Sequence, residues 1–203
     1  TEIYTLSLHD ALPIFTSFHG YDVGEIPRRY GRDVYRHLFA EGDLFTANTR
    51  FTLGCMTGLG CPEKKSVILP MSIDLGRYAF SERTAPPEGT LNLVSVARLV
   101  EKKGLRYAIE AVSMLRAHIP GIRYRIIGEG PLRNDLEALV SKLELDDAVE
   151  LPGAKTQDEI RAVFTESHIC LMPSVTDENG DQEGQGVVLQ EAQASGLPVI
   201  ATR

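Results

Sequence analysis

The 203-residue chain holds no apolar run approaching the roughly 20 residues that a membrane-spanning helix needs. It has little cysteine, and Cys55, Cys61 and Cys170 are odd in number and lack zinc-like spacing. They read as reduced thiols of a cytoplasmic protein. Positive charge is in deficit: 21 Lys and Arg stand against 28 Asp and Glu, a formal net charge of −7. That argues against a general nucleic-acid binder, while an anionic ligand remains open to local basic groups. The first residues carry no basic start and no small-residue cleavage site of a secretory leader. Internal repeats and low-complexity tracts are missing too. The acidic stretch 177–183 lacks the spacing of a calcium loop, so no metal is expected there, only a solvated, mobile loop. Gly128-Glu129-Gly130-Pro131 is not a dinucleotide fingerprint, because proline interrupts the required spacing.

What is present is an ordinary globular balance, 43% hydrophobic and 24% charged, in a length that allows one large or two small domains. From residue 91 onward, short apolar runs alternate with single amphipathic helices. Strands are expected at 91–96, 124–127, 149–151, 169–172 and 198–201. Gly104 opens a helix over 105–117 with an apolar face of Leu105, Ala108, Ile109, Val112 and Leu115. Pro131 suits the first position of a second helix, whose face is Leu132, Leu136, Leu139, Val140 and Leu143. Thr156 and Glu159 form a capping box for a third, reaching about residue 165. A fourth covers 187–195, and Gly196 and Pro198 end it. Strands joined by single helices predict a doubly wound parallel sheet with helices on both faces. Its ligands bind outside the carboxyl ends of the strands. The loops after Val96, Ile127, Met172 and near Gly153 are therefore expected on one rim.

Residues 15–80 are also α/β but less regular. Strands are expected at 15–18, 44–47 and 66–69, a helix at 29–40, and a Thr49-capped helix ending before Gly58 or Gly60. The polar stretch 81–90, with two prolines, reads as an interdomain linker. Residues 1–14 resemble translated adapter sequence and are expected to be a non-native leader. Residues 197–203 read as a strand that a helix should follow.

The most informative segment is Glu183-Gly184-Gln185-Gly186-Val187-Val188-Leu189-Gln190-Glu191. A glycine-rich turn entering a helix leaves backbone N–H groups aimed outward, which suits a phosphate or diphosphate. The flanking carboxylates can accept hydrogen bonds from hydroxyls. Diphosphate beside hydroxyl-rich groups describes a nucleotide sugar. Glu191 lies in an apolar helix where a buried carboxylate needs partners, either a ribose diol or a neighbouring cation. Glu183 could meet sugar hydroxyls, or simply compensate the helix N-terminus. Arg98 and Lys103 close the two ends of one strand-to-helix turn. A planar donor fork and a compact ammonium can clamp a diphosphate and stabilise charge as it leaves. Read alone, that turn is an ordinary basic loop. His19, following a short strand and preceding Gly20, could contact a sugar hydroxyl or serve the structure only, with Asp22 orienting it or capping the loop.

Together, residues 95–104, 128–131 and 183–202 resemble the nucleotide-sugar domain of retaining GT-B glycosyltransferases, the family 4 group above all. Glu183 and Glu191 match its glutamate–seven residues–glutamate signature, and Arg98 and Lys103 its basic pair. Phe18-His19-Gly20-Tyr21-Asp22 resembles the acceptor-domain histidine loop. Pro70-Met71-Ser72-Ile73-Asp74 resembles the turn before the linker. The acidic insert and the histidine loop look most like bacterial exopolysaccharide enzymes of the colanic acid type. The resemblance implies two Rossmann-like lobes, 15–80 as a truncated acceptor-side lobe and 91–203 as an incomplete donor lobe. It implies a UDP- or GDP-sugar donor, with diphosphate on Arg98, Lys103 and the backbone at Gly184, Gln185, Gly186 and Val187. Ribose would lie on Glu191, the donor sugar near Glu183, and His19 at the active site. The implied acceptor is a glycan or lipid-linked glycan, with peripheral contact at the inner membrane surface and no cofactor. Departures are Gln185, Gln190 and Gln193 at apolar family positions, and Met71 and Ser72 in the turn. A nucleotide-sugar-binding fragment without turnover and a GT-B-fold epimerase are the alternatives.

Overall fold

The computed structural model describes residues 13–178 and 180–202. They divide into two compact units, one ending at Met71 and one beginning at Ser72. No helix among the described residues is long and apolar enough to cross a membrane. The expected leader at 1–14 lies, but for Pro13 and Ile14, outside the described residues.

In the first unit, β1 (Phe15–Phe18) leads into α1 (Gly20–Tyr30), a 3-10 turn (Arg32–Tyr35) and α2 (Arg36–Glu41). Then come β2 (Leu44–Ala47), α3 (Arg50–Gly58) and β3 (Ser66–Ile68). The strands form a parallel sheet in the order β1-β2-β3. Two expectations change here. The segment after β1 is a helix start and not a loop: His19 is the N-cap of α1, and Asp22 accepts its backbone N–H at 2.8 Å. An aspartate in the first turn satisfies a donor that the helix itself leaves free. The single helix expected over 29–40 is split by Gly31, whose φ of +92° only glycine adopts cheaply. Thr49 caps α3 as expected, its hydroxyl accepting from the Thr52 amide at 3.1 Å. Phe18, Phe39 and Phe45 build the core of this unit, with the Phe39 and Phe45 rings edge-on at 5.2 Å.

The second unit contains β4 (Thr90–Val96), α4 (Leu105–Arg116), β5 (Gly121–Ile127), α5 (Arg133–Lys142) and β6 (Val149–Gly153). It continues with α6 (Gln157–Glu166), β7 (Ile169–Met172), α7 (Val187–Ala194) and β8 (Val199–Ala201). The five strands are all parallel, in the order β6-β5-β4-β7-β8. Side chains alternate across the sheet, so neighbouring residues serve different cores. Leu93 joins the core built with α4 and α5, whereas Val94 joins the core built with α6 and α7. Both faces are covered, as the periodicity predicts.

Local readings shift at several points. Residues 81–90 are not a free linker. Arg83 donates to the Thr165 and Ser195 carbonyls at 2.8 and 2.9 Å, which straps this stretch to the second unit. Strand β5 begins at Gly121, ahead of residue 124. Pro131 precedes α5 inside a turn closed by the Arg133 amide on the Gly130 carbonyl and tethered by the Leu132 amide to the Leu99 carbonyl. Leu115 is 39% exposed near the end of α4, past the last buried residue of that helix, Val112. Helix α7 is less enclosed than its apolar sequence suggests: among its residues only Ala192 is buried.

The chain winds outward from β4 to β5 and β6, then returns to place β7 on the other flank of β4. The topological switch therefore lies between β4 and β7. Their ladder is short, pairing Leu93 with Ile169 and Val94 with Cys170. Beyond it, the Ser95 hydroxyl bridges to the Leu171 carbonyl at 2.7 Å, while accepting from the buried Tyr124 hydroxyl at 2.7 Å.

Candidate functional site

The candidate site lies at the carboxyl ends of β4 and β7, where the strand order switches. On one side, Arg98 follows β4 and is exposed. Its turn is braced by the glycine loop after β5. The Ala97 amide bonds the Ile127 carbonyl, and the Leu99 amide bonds the Glu129 carbonyl at 2.9 Å. A Cβ at Gly128 would strike the Ala97 carbonyl, so these glycines permit close approach of backbone rather than nucleotide binding.

Lys102 and Lys103 lie in a 3-10 turn (Glu101–Lys103) that ends at Gly104, with φ +59°. A side chain at Gly104 would collide with the Pro173 carbonyl, and the Val175 amide bonds the Lys102 carbonyl at 2.9 Å. The loops after β4 and β7 are thus clasped together backbone to backbone. Across that clasp, Lys103 Nζ donates to Glu183 Oε2, and Lys102 Nζ meets Asp181 Oδ2 at 2.8 Å. The Lys103 and Glu183 side chains are only 15% and 25% exposed, so the pair is shielded more than an ordinary surface ion pair. The acidic stretch is not the solvated loop expected from sequence. Asp177 accepts the Asp181 amide on its side chain at 2.8 Å, and Lys102 holds the far end.

Gly184 lies in a bend, the Gln185 carbonyl accepts from the Val187 amide at 3.0 Å, and Gly186 is the N-cap of α7. Glycine brings no capping side chain, and the Val187 and Leu189 amides turn instead to the backbone carbonyls of Gln185 and Gly186. One helical turn on, Glu191 is half-buried, and its Oε1 accepts from the Tyr78 hydroxyl at 2.9 Å. The partner expected for this carboxylate was a diol or a cation; within the chain it is a phenol. Burial, then the hydrogen bond to Glu191, raises the Tyr78 pKa, so the hydroxyl keeps its proton as a donor.

Of the residues singled out from sequence, Lys103 and Glu183 meet directly, and Gly186, Val187 and Glu191 share α7 and its entrance. Arg98 stands on the same rim. His19 belongs to the first unit. Sequence reasoning missed Tyr78, Lys102 and Asp181. The lysine and the aspartate each sat in a visible charge run, but nothing local linked runs 79 residues apart. His168 is structural, its Nδ1 accepting the Asn92 amide at 2.8 Å. A hollow of about 360 Å³ at the amino ends of β4, β5 and β6 is no rival site. Its Arg125 is already paired with Glu150 and Glu166.

The sequence signature described as Glycosyl transferases group 1 matches residues 77–203, more than half of the chain. The chain belongs to this family. Among group 1 glycosyltransferases it is 41% identical over 191 residues to the putative colanic acid biosynthesis glycosyltransferase WcaL of Escherichia coli K12, covering 93% of the chain and 47% of that protein. It is 38% identical over 189 residues to the amylovoran biosynthesis glycosyltransferase AmsK of Erwinia amylovora, covering 92% and 46%. The chain spans about half the length of these relatives. Anabaena Alr3699/HepE, solved with UDP-glucose, superposes with a TM-score of 0.72 at 18% identity, over 93% of this chain and 53% of that one. WaaG, a lipopolysaccharide glycosyltransferase, gives 0.67 at 19% identity, over 95% and 60%. At such identities the likeness is one of fold, and that fold is GT-B.

Proposed function

We propose that this group 1 glycosyltransferase chain carries the donor site of a retaining, family 4 enzyme. The enzyme moves a hexosyl group from a UDP- or GDP-sugar to a hydroxyl of a glycan or lipid-linked glycan in bacterial exopolysaccharide synthesis. The observation that carries this reading is the meeting of Lys103 and Glu183 at the switch point, beside the start of α7, where the N-cap is a glycine. Kinship with the colanic acid and amylovoran proteins supports the pathway class.

In this reading the diphosphate lies against the backbone at Gly184, Gln185, Gly186 and Val187, with Arg98 and Lys103 against it. Negative charge grows on the diphosphate as the sugar–phosphate bond breaks. Fixed cations stabilise that charge more than they stabilise the ground state. Glu183 holds the Lys103 ammonium at the helix entrance and offers its remaining oxygen to sugar hydroxyls. Glu191 receives the ribose, and His19 acts on the acceptor side. The acceptor hydroxyl attacks from the face that the diphosphate leaves, so no covalent nucleophile is assigned. No metal or other cofactor takes part. The enzyme works in the cytoplasm against the inner membrane surface.

A thermal-shift panel of nucleotide sugars tests the site. One UDP- or GDP-sugar is expected to raise the melting temperature, and Lys103→Ala and Glu191→Ala are each expected to flatten that rise. Two variants that respond like the parent would sink the assignment. With labelled donor and glycan acceptors, Lys103→Ala should lower transfer about a hundredfold or more.

A further inference from the structure

We infer that Tyr78 is a positioning residue for ribose recognition: its hydroxyl fixes the Glu191 carboxylate so that the second oxygen takes the diol of the donor nucleotide. The inference rests on the donor-site reading above and adds a residue to it.

The geometry is specific. Tyr78 directly follows the 3-10 turn Leu75–Arg77, whose start is held by the Asp74 side chain accepting the Gly76 amide at 3.0 Å. This delivers the phenol to α7, 113 residues later in the chain, where it donates to Glu191 Oε1 at 2.9 Å. The ring is held independently of that bond. The Arg161 guanidinium lies over its face at 5.8 Å from the centroid, and Arg161 is itself paired with Asp158. A glutamate has three rotatable bonds and loses substantial entropy when fixed. A rigid phenol that claims one oxygen removes much of that freedom before ligand arrives and leaves Oε2 as acceptor. A vicinal diol needs such an acceptor held at one height and angle. A nucleotide lacking the 2′-hydroxyl has less to gain from it.

The test compares UDP with 2′-deoxy-UDP, and GDP with 2′-deoxy-GDP, by calorimetry on the parent and on Tyr78→Phe. The phenylalanine keeps the ring under Arg161 and removes only the hydroxyl. The parent is expected to prefer the ribonucleotide, and Tyr78→Phe to lose about three- to tenfold of that preference. Inorganic pyrophosphate binding, which does not read ribose, should stay within twofold of the parent. In a Glu191→Gln background, Tyr78→Phe should change the preference no further, because the group it positions is altered. An unchanged preference in Tyr78→Phe overturns the inference while leaving the donor site standing. So does an equal loss for pyrophosphate, which would mean a general packing role, and so does additivity in the double variant. A parent that binds none of the nucleotides overturns the donor-site reading and this inference with it.

Discussion

Gly104 shows how much of the site rests on single atoms. Its backbone sits in the left-handed region, and the Pro173 carbonyl occupies the space where a side chain would project. Gly104→Ala is expected to cost at least about 2 kcal/mol in urea unfolding, from left-handed strain and the forced opening of the clasp. It should also weaken nucleotide binding, because Lys103 is the preceding residue. Tyr124 is a second case. Fully buried, it donates to Ser95, which in turn donates to the Leu171 carbonyl. This chain of bonds continues the sheet where the β4–β7 ladder stops. Tyr124→Phe should lower stability by about 1 kcal/mol in the same assay. Cys170 differs from both in that burial among apolar neighbours governs its thiol. Burial pushes its thiol up to about 12, so it should resist alkylation by iodoacetamide until the second unit unfolds.

At the scale of elements, α6 was the most legible. Thr156 and Glu159 were readable as a capping box, and both halves are present. The Thr156 amide, then its hydroxyl and Lys155, hold the Glu159 carboxyl down at about 2. A carboxyl whose folded value lies below its unfolded one stabilises above the unfolded value and loses that contribution as pH falls. The contribution should therefore fade between about pH 4.5 and pH 2, and Glu159→Gln should flatten that part of an acid-unfolding curve followed by circular dichroism. Thr156→Ala should cost about 1 kcal/mol at neutral pH. Helix α1 was misread for a related reason. Its first turn is stabilised by Asp22, but its interior holds Pro27 and its end meets Gly31, so residue types alone suggested a loop followed by a later helix. Helix α7 was placed correctly, but its degree of enclosure was not, since an apolar stretch does not say how many neighbours surround it.

At the scale of the molecule, the apolar side chains among the described residues form separate cores, one in the first unit and two flanking the five-stranded sheet of the second. Phe45 is wholly buried in the first, and Phe45→Ala should cost about 3–5 kcal/mol there. Because Lys103, Glu183 and Glu191 all lie within the second unit, nucleotide affinity of Phe45→Ala measured below its unfolding midpoint should stay within about twofold of the parent.

The sequence by itself determined the alternation of strand and helix, the parallel sheet with two covered faces, and the glycine-lined entrance of α7. Those follow from periodicity and capping, which act over a few residues. It also marked Lys103, Glu183 and Glu191 as candidates through the types of residue present. Only the tertiary structure decided their partners. Lys103 reaches Glu183 across 80 residues, because winding about β4 brings two distant loops to one rim, and Tyr78, ahead of β4, reaches Glu191 on α7 across 113. A contact made by topology leaves no trace in local spacing, so charge runs that looked solvated turn out to be clasped to each other.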